Sequence, residues 1–158
     1  MARAVWRIAA ETPDYGSDDR SGKGAEKTGG RWNRKGTPVI YTSSSIALAY
    51  LETIVHLSGL EPLPLNRYLI KIEIPAAAWK ARTVFDVATH VGWGALPAGL
   101  VSLAWGTEWV QSGASLIAEV RSIVVPEESN ILINPGHPDA AKLIAKKIRR
   151  WNYDARLL

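Results

Sequence analysis

From Asn66 to Ile74 the chain alternates without a break. Tyr68, Ile70, Ile72 and Ile74 fall on one side, and Arg67, Leu69, Lys71 and Glu73 on the other. A period of two is the mark of an extended strand with one face against a core, so a chain carrying it must build a sheet. Ala4 to Ala9 reads as a second strand, an apolar run with one charged residue, Arg7, inside it. Pro38 to Thr42 reads as a third, with Pro38 tolerable at the first position. Ser115 to Val125 and Asn130 to Ile133 read as two more, joined through Pro126-Glu127-Glu128-Ser129.

Between these strands the period changes. Ser43-Ser44-Ser45 offers N-cap oxygens, and Ala47, Leu48, Leu51, Ile54, Val55 and Ser58 then share one side at helical spacing, with Glu52 at its margin and His56 one turn on. Leu100 to Val110 is the clearest helix in a stretch, Pro75 to Gly113, that otherwise predicts short helices and loops. Pro138-Asp139 opens a helix expected to run to about Arg150, with the basic run from Lys142 as its solvated face, and Tyr153 to Leu157 reads as an edge strand. Residues 12 to 30, holding Gly16, Gly22, Gly24, Gly29 and Gly30, read as one long loop, which in a compact domain points to function or disorder. No internal repeat or linker divides the chain, so residues 1–158 are expected to form a single domain.

Composition narrows the function classes. A chain of 158 residues can bury roughly 70% of its unfolded surface, enough for a core and an enclosed site. No window approaches the ~20 uncharged apolar residues that cross a bilayer, and the basic start from Met1 to Arg7 argues against an export signal. Zero cysteines exclude disulfides and a thiol nucleophile and fit a reducing cytoplasm. A net charge of +4 suits either a nucleic acid or an anionic small substrate.

The chemistry concentrates in three places. Gly29-Gly30-Arg31-Trp32-Asn33 sets an arginine on a glycine loop, Tyr41 lies on the following strand, and Glu52 on the following helix. Glycines permit a close backbone approach to phosphate, and a permanently charged planar guanidinium holds phosphate oxygens by paired hydrogen bonds. The trio suits a dinucleotide, and in particular cleavage of the N-glycosidic bond of a nicotinamide ribose. Nicotinamide leaves as a neutral molecule, so the protein need supply little general acid. Arg31 would hold phosphate, Tyr41 would stack on or orient the base, and Glu52 would bind ribose hydroxyls and favour a cationic transition state. His56, His90 and His137 lack metal-ligand spacing, so no metal is expected. Ser122 has no nucleophile elbow around it.

These residues resemble the RES domain family, the toxins of bacterial Xre-RES toxin–antitoxin systems. The resemblance runs through Arg7, Gly22-Lys23-Gly24, Gly29 to Asn33, Gly36-Thr37-Pro38, Tyr41-Thr42, Leu51-Glu52 with His56, Ser122 to Glu128, Asn130 and Asn134 to Pro138. The arginine, glutamate and serine that name the family map to Arg31, Glu52 and Ser122, with Arg121 standing where the family has proline. The resemblance implies an α+β (mixed α/β) domain similar to ADP-ribosyltransferases, mainly antiparallel strands with flanking helices. It implies NAD as a substrate, with no separate cofactor, and catalysis by Arg31, Tyr41 and Glu52, with Arg7, Gly30 and Ser122 placing the substrate. It also implies an Xre-type helix-turn-helix antitoxin through which DNA is contacted only indirectly, and no membrane partner.

Depletion of NAD by phosphorolysis or hydrolysis is the leading expectation, with inorganic phosphate or water as acceptor. Transfer of ADP-ribose to a protein is the second. A third, motivated by the net charge and by Lys146, Lys147, Arg149 and Arg150, is a toxin that binds or cleaves nucleic acid.

Overall fold

The computed structural model describes residues 1–57 and 62–158. Among these residues seven strands form one sheet in the order β4-β5-β6-β2-β1-β3-β7. They are β1 (Arg3–Ala10), β2 (Ile40–Ser43), β3 (Arg67–Ile74), β4 (Thr83–Val84), β5 (Ile117–Arg121), β6 (Ser129–Ile133) and β7 (Ala145–Arg150). Every neighbouring pair is antiparallel except β4 and β5. Among the described residues four α-helices flank the sheet: α1 (Lys23–Thr28), α2 (Ile46–Leu57), α3 (Ala76–Lys80) and α4 (Leu100–Ser112). The mixed, mostly antiparallel architecture is the one expected. No helix among the described residues is long and apolar enough to cross a membrane.

The alternation in β3 does what its period dictates. Ile70, Ile72 and Ile74 are buried in one core cluster with Val5, Ile40, Ile131 and Ile133. The opposite face is covered in two separate patches. Trp32, Val39, Phe85, Trp109, Ala118, Val120 and Leu132 form one, with Trp93 and Trp105 packed against it. Ile8, Ala49, Leu69 and Trp151 form the other, beneath α2. Thus Leu69, on the polar side of the strand pattern, is also buried. Between the two patches lies the seam where β2 meets β1. Those two strands pair only at Trp6 and Ser43, whereas β1 and β3 pair from Arg3 to Ala10. Beyond that single pair they part, and the sheet opens.

Several local expectations are corrected. The long loop contains a helix, α1, which buries no side chain and therefore leaves no apolar period to read. The side-chain amide of Asn33 holds it instead, donating to the Ala25 carbonyl. The helix expected from Pro138 to Arg150 is a 3-10 turn over Pro138–Lys142 followed by the strand β7. Pairing with β3 overrides the helical propensity of these residues, and Lys147 and Arg149 lie over the rings of Tyr68 and Trp151. The expected edge strand at Tyr153 to Leu157 is a 3-10 turn over Ala155–Leu157, capped by Asp154. The expected apolar stripe on α2 is rotated: Leu48, Ala49 and Leu57 are buried, while Ala47, Leu51 and Val55 are exposed. Ser58 lies outside the described residues.

Candidate active site

The side of α2 that faces the sheet carries Ala49, Glu52, Thr53 and His56, spaced as one helical stripe. With Trp6, Arg7, Ile8, Tyr41, Thr42, Ser43 and Asn130 they line a cleft of ≈ 190 Å³ at the parting of β1 and β2. Glu52 therefore lies on the side of its helix that lines the cleft, towards one edge of that stripe. Its Oε1 accepts two hydrogen bonds, from Ser122 Oγ at 2.6 Å and from Asn130 Nδ2 at 2.7 Å. Asn130 is held in turn, since its Oδ1 accepts from Ser43 Oγ at 2.7 Å. The other carboxylate oxygen, Oε2, has no donor among the described residues. One oxygen is anchored and one is free for a ligand.

Ser122 is fully buried and, contrary to the strand expected over Ser115 to Val125, lies just beyond one. β5 ends at Arg121, and Ser122 opens the turn that closes with its N–H on the Glu128 carbonyl. While its hydroxyl donates to Glu52, it accepts from the backbone N–H groups of Val124 and Val125. A hydroxyl so occupied is an orienting group, not a nucleophile. Ser122→Ala is expected to leave those two N–H groups without their acceptor and Glu52 with one donor. The cost should be about 1–3 kcal/mol of stability, seen in urea unfolding. Unchanged unfolding would remove this role from Ser122.

Tyr41 comes from β2, and its ring borders the same cleft. Its hydroxyl donates to Asn33 Oδ1 at 2.6 Å and accepts the Trp32 N–H at 3.0 Å. Burial pushes its pKa well above the ordinary tyrosine value, with the Trp32 bond and the Arg31 charge pulling the other way. The hydroxyl thus fastens the 30–33 loop, and the ring is what the cleft can use. Gly30 is explained by the same contact, since a Cβ there would come within 2.7 Å of the Tyr41 hydroxyl. Asn33, fully buried, joins α1, the loop and Tyr41.

Arg31 projects from this loop. Its Nη1 donates to the carbonyls of Trp93 at 3.1 Å and Ala95 at 2.9 Å. Burial lowers its pKa, while the charges of Glu52 and Tyr41 act to raise it. The structure thus sets Tyr41 and Glu52 on one cleft, with Arg31 outside its lining but near enough to feel the charges of Glu52 and Tyr41.

Arg7 differs. It pairs with Ile70 and so starts from the sheet face opposite to Tyr41 and Ser43, reaching the cleft at the seam. Its Nε is buried without a hydrogen-bond partner among the described residues. Burial pulls its pKa down, against the opposing influence of Asp19 and Tyr15. A guanidinium whose Nε is buried, and which has no ion pair among the described residues, is costly beside a cleft unless an anion completes it.

Asn130, Thr53 and the Trp93–Ala95 backbone were not assigned to the site from sequence. Only Asn130 had a signal, its place beside the Ser122 turn.

With this geometry described, comparison with known proteins gives a consistent result. The chain is 49% identical over 162 residues to the Prs ADP-ribosylating toxin of Sphingobium sp. (strain YBL2), covering 100% of this chain and 98% of that protein. It is 34% identical over 156 residues to a Toxin Res of Pseudomonas putida, covering 97% and 98%, and 42% identical over 117 residues to a Toxin Res of Yersinia enterocolitica, covering 74% and 75%. Among solved structures it superposes on a chain of the M. tuberculosis MbcT-MbcA toxin–antitoxin complex with a TM-score of 0.61, over 93% of this chain and 82% of that one. At 16% identity that likeness is one of fold. The profile of the RES domain matches residues 4–155, nearly end to end, and the chain belongs to the RES domain family.

Proposed function

We propose that this chain is the toxin of a toxin–antitoxin pair and that it opens NAD at the nicotinamide–ribose bond, passing the ADP-ribosyl group to a protein. The observation that carries the reading is Glu52, a carboxylate with one oxygen anchored by Ser122 and Asn130 and the other free at the rim of a cleft. The full-length similarity to a relative named an ADP-ribosylating toxin supports a protein as acceptor.

In this reaction the C–N bond breaks with its electron pair going to the nicotinamide ring nitrogen. That cancels the pyridinium charge, and the ribose C1 becomes cationic. A nucleophile of the acceptor then bonds to C1 and loses its proton to solvent. The free oxygen of Glu52 holds a ribose hydroxyl, and its charge, fixed in advance, stabilises the oxocarbenium-like ribose as it forms. Arg31 receives the diphosphate, and the Tyr41 ring sets the nicotinamide. Arg7, whose buried Nε lacks a partner among the described residues, receives a second anionic or polar part of NAD at the seam. An antitoxin of helix-turn-helix type that covers the cleft, and a cytoplasmic site of action on cellular NAD, belong to the same proposal.

The test is to incubate the purified chain with cell extract and NAD labelled in the adenylate moiety. Label on a discrete protein band, absent with Glu52→Gln, is the expected result. Label released only as free ADP-ribose or ADP-ribose phosphate would replace protein modification with hydrolysis or phosphorolysis.

A further inference from the structure

The connection between β4 and α4 makes contacts that the steps above leave unused. The carbonyls of Trp93 and Ala95 both accept from one nitrogen of Arg31, Nη1. Between them Gly94 sits so close to the turn beyond β5 that a Cβ there would lie 3.1 Å from Ile123 Cδ1. Ile123 follows Ser122, the residue that holds Glu52. On the other flank the Trp93 ring stacks on Trp32, the residue after Arg31, at 6.4 Å and 24°, and both rings pack on Phe85. Residues 93–95 are thus wedged between the loop that bears the cation and the turn that orients the carboxylate.

We propose that residues 93–95 are the positioning element for Arg31, with Gly94 the positioning residue. Two backbone carbonyls capture Nη1 and set the direction of the guanidinium. Nε and Nη2, which have no partner among the described residues, form the remaining side of the fork, the pair that suits a bidentate phosphate contact. A long side chain fixed beforehand loses less freedom on binding, so the clamp should favour affinity for the diphosphate. The absence of a side chain at position 94 lets the segment approach Ile123 closely enough for both carbonyls to reach the arginine. This inference rests on NAD being the substrate.

The test is NAD affinity, by calorimetry and from KM, for Gly94→Val, with thermal unfolding followed in parallel. The expected result is affinity weaker by on the order of 10-fold or more, with kcat at saturating NAD reduced far less. Adding Ile123→Ala to Gly94→Val should restore most of the affinity by making room. In an Arg31→Ala background Gly94→Val should change NAD affinity no further, because the group through which it acts is gone. If Gly94→Val does not fold, Gly94→Ala takes its place, and because its Cβ would press on Ile123 Cδ1 at 3.1 Å it should weaken NAD affinity in the same direction by a smaller factor. Unchanged affinity in the glycine variant would overturn the proposal, as would an equal loss in the Arg31→Ala background. Wild-type protein that does not bind NAD would overturn the NAD reading itself and this inference with it, an outcome distinct from normal wild-type binding with an indifferent Gly94 variant.

Discussion

Glu52→Gln should lower the rate of NAD cleavage by about 10³-fold while leaving the fold intact. The replacement is nearly isosteric. Its carbonyl oxygen can take the place of Oε1 and still accept from Ser122 and Asn130, and its amide group then occupies the free position. What disappears is the negative charge, the property on which stabilisation of a cationic ribose depends. Because both anchoring hydrogen bonds survive, unfolding should shift by less than ~1 kcal/mol, so a rate loss cannot be attributed to a damaged protein. Glu52→Ala separates the two contributions, since it also strips Ser122 and Asn130 of their shared acceptor and should cost stability as well. A folded Glu52→Gln variant that turns over NAD at the wild-type rate would remove the carboxylate from the chemistry.

Gly106→Ala should destabilise the protein by about 3 kcal/mol or more, against the usual sign for a glycine inside a helix. In an exposed helix the exchange gains about 1 kcal/mol. Here α4 crosses beneath the 30–33 loop, and a Cβ at position 106 would stand 1.8 Å from the Trp32 carbonyl oxygen and 2.7 Å from its carbon. Both are backbone atoms and neither can turn aside, so helix or loop must move in a packed region. The loop is also tied to the helix by the Arg34 N–H, which donates to Thr107 Oγ1. Displacing it carries Arg31 and the Tyr41 anchor at Trp32 out of register, so activity should fall together with stability. Urea unfolding of the two proteins decides the matter; an alanine variant as stable as the wild type would show that the helix has room to move.

The contrast between these positions explains what could be read from the chain and what could not. Arg31, Tyr41 and Glu52 stand out in the sequence because each is a residue of distinctive chemistry placed on successive elements; the fold sets Tyr41 and Glu52 on one cleft, with Arg31 outside its lining. β1 and β3 were equally plain, since a strand with one face in the core leaves a period of two. α1 was invisible because it buries nothing, and β7 because its partner strand, not its own propensity, decides its conformation. The face of α2 was misjudged because Leu51 and Val55, apolar by type, lie on the outside. Glu52 lies towards one edge of the stripe that does face inward. Contacts made through backbone atoms leave no trace in residue types, so the grip of Trp93 and Ala95 on Arg31 and the pressure of Gly106 on Trp32 emerge only in three dimensions. Arg7 shows the converse. Its charge in an apolar run was conspicuous, but the register of β1 on β3 sends it to the far side of the seam.

The most direct measurement is nicotinamide release from NAD by the purified chain, followed by chromatography beside Glu52→Gln. One nicotinamide formed for each NAD lost with the wild type, and none above background with the variant, is the result this account predicts. NAD that stays intact with the folded wild-type protein in the presence of an acceptor extract, or nicotinamide released equally by the variant, would contradict it.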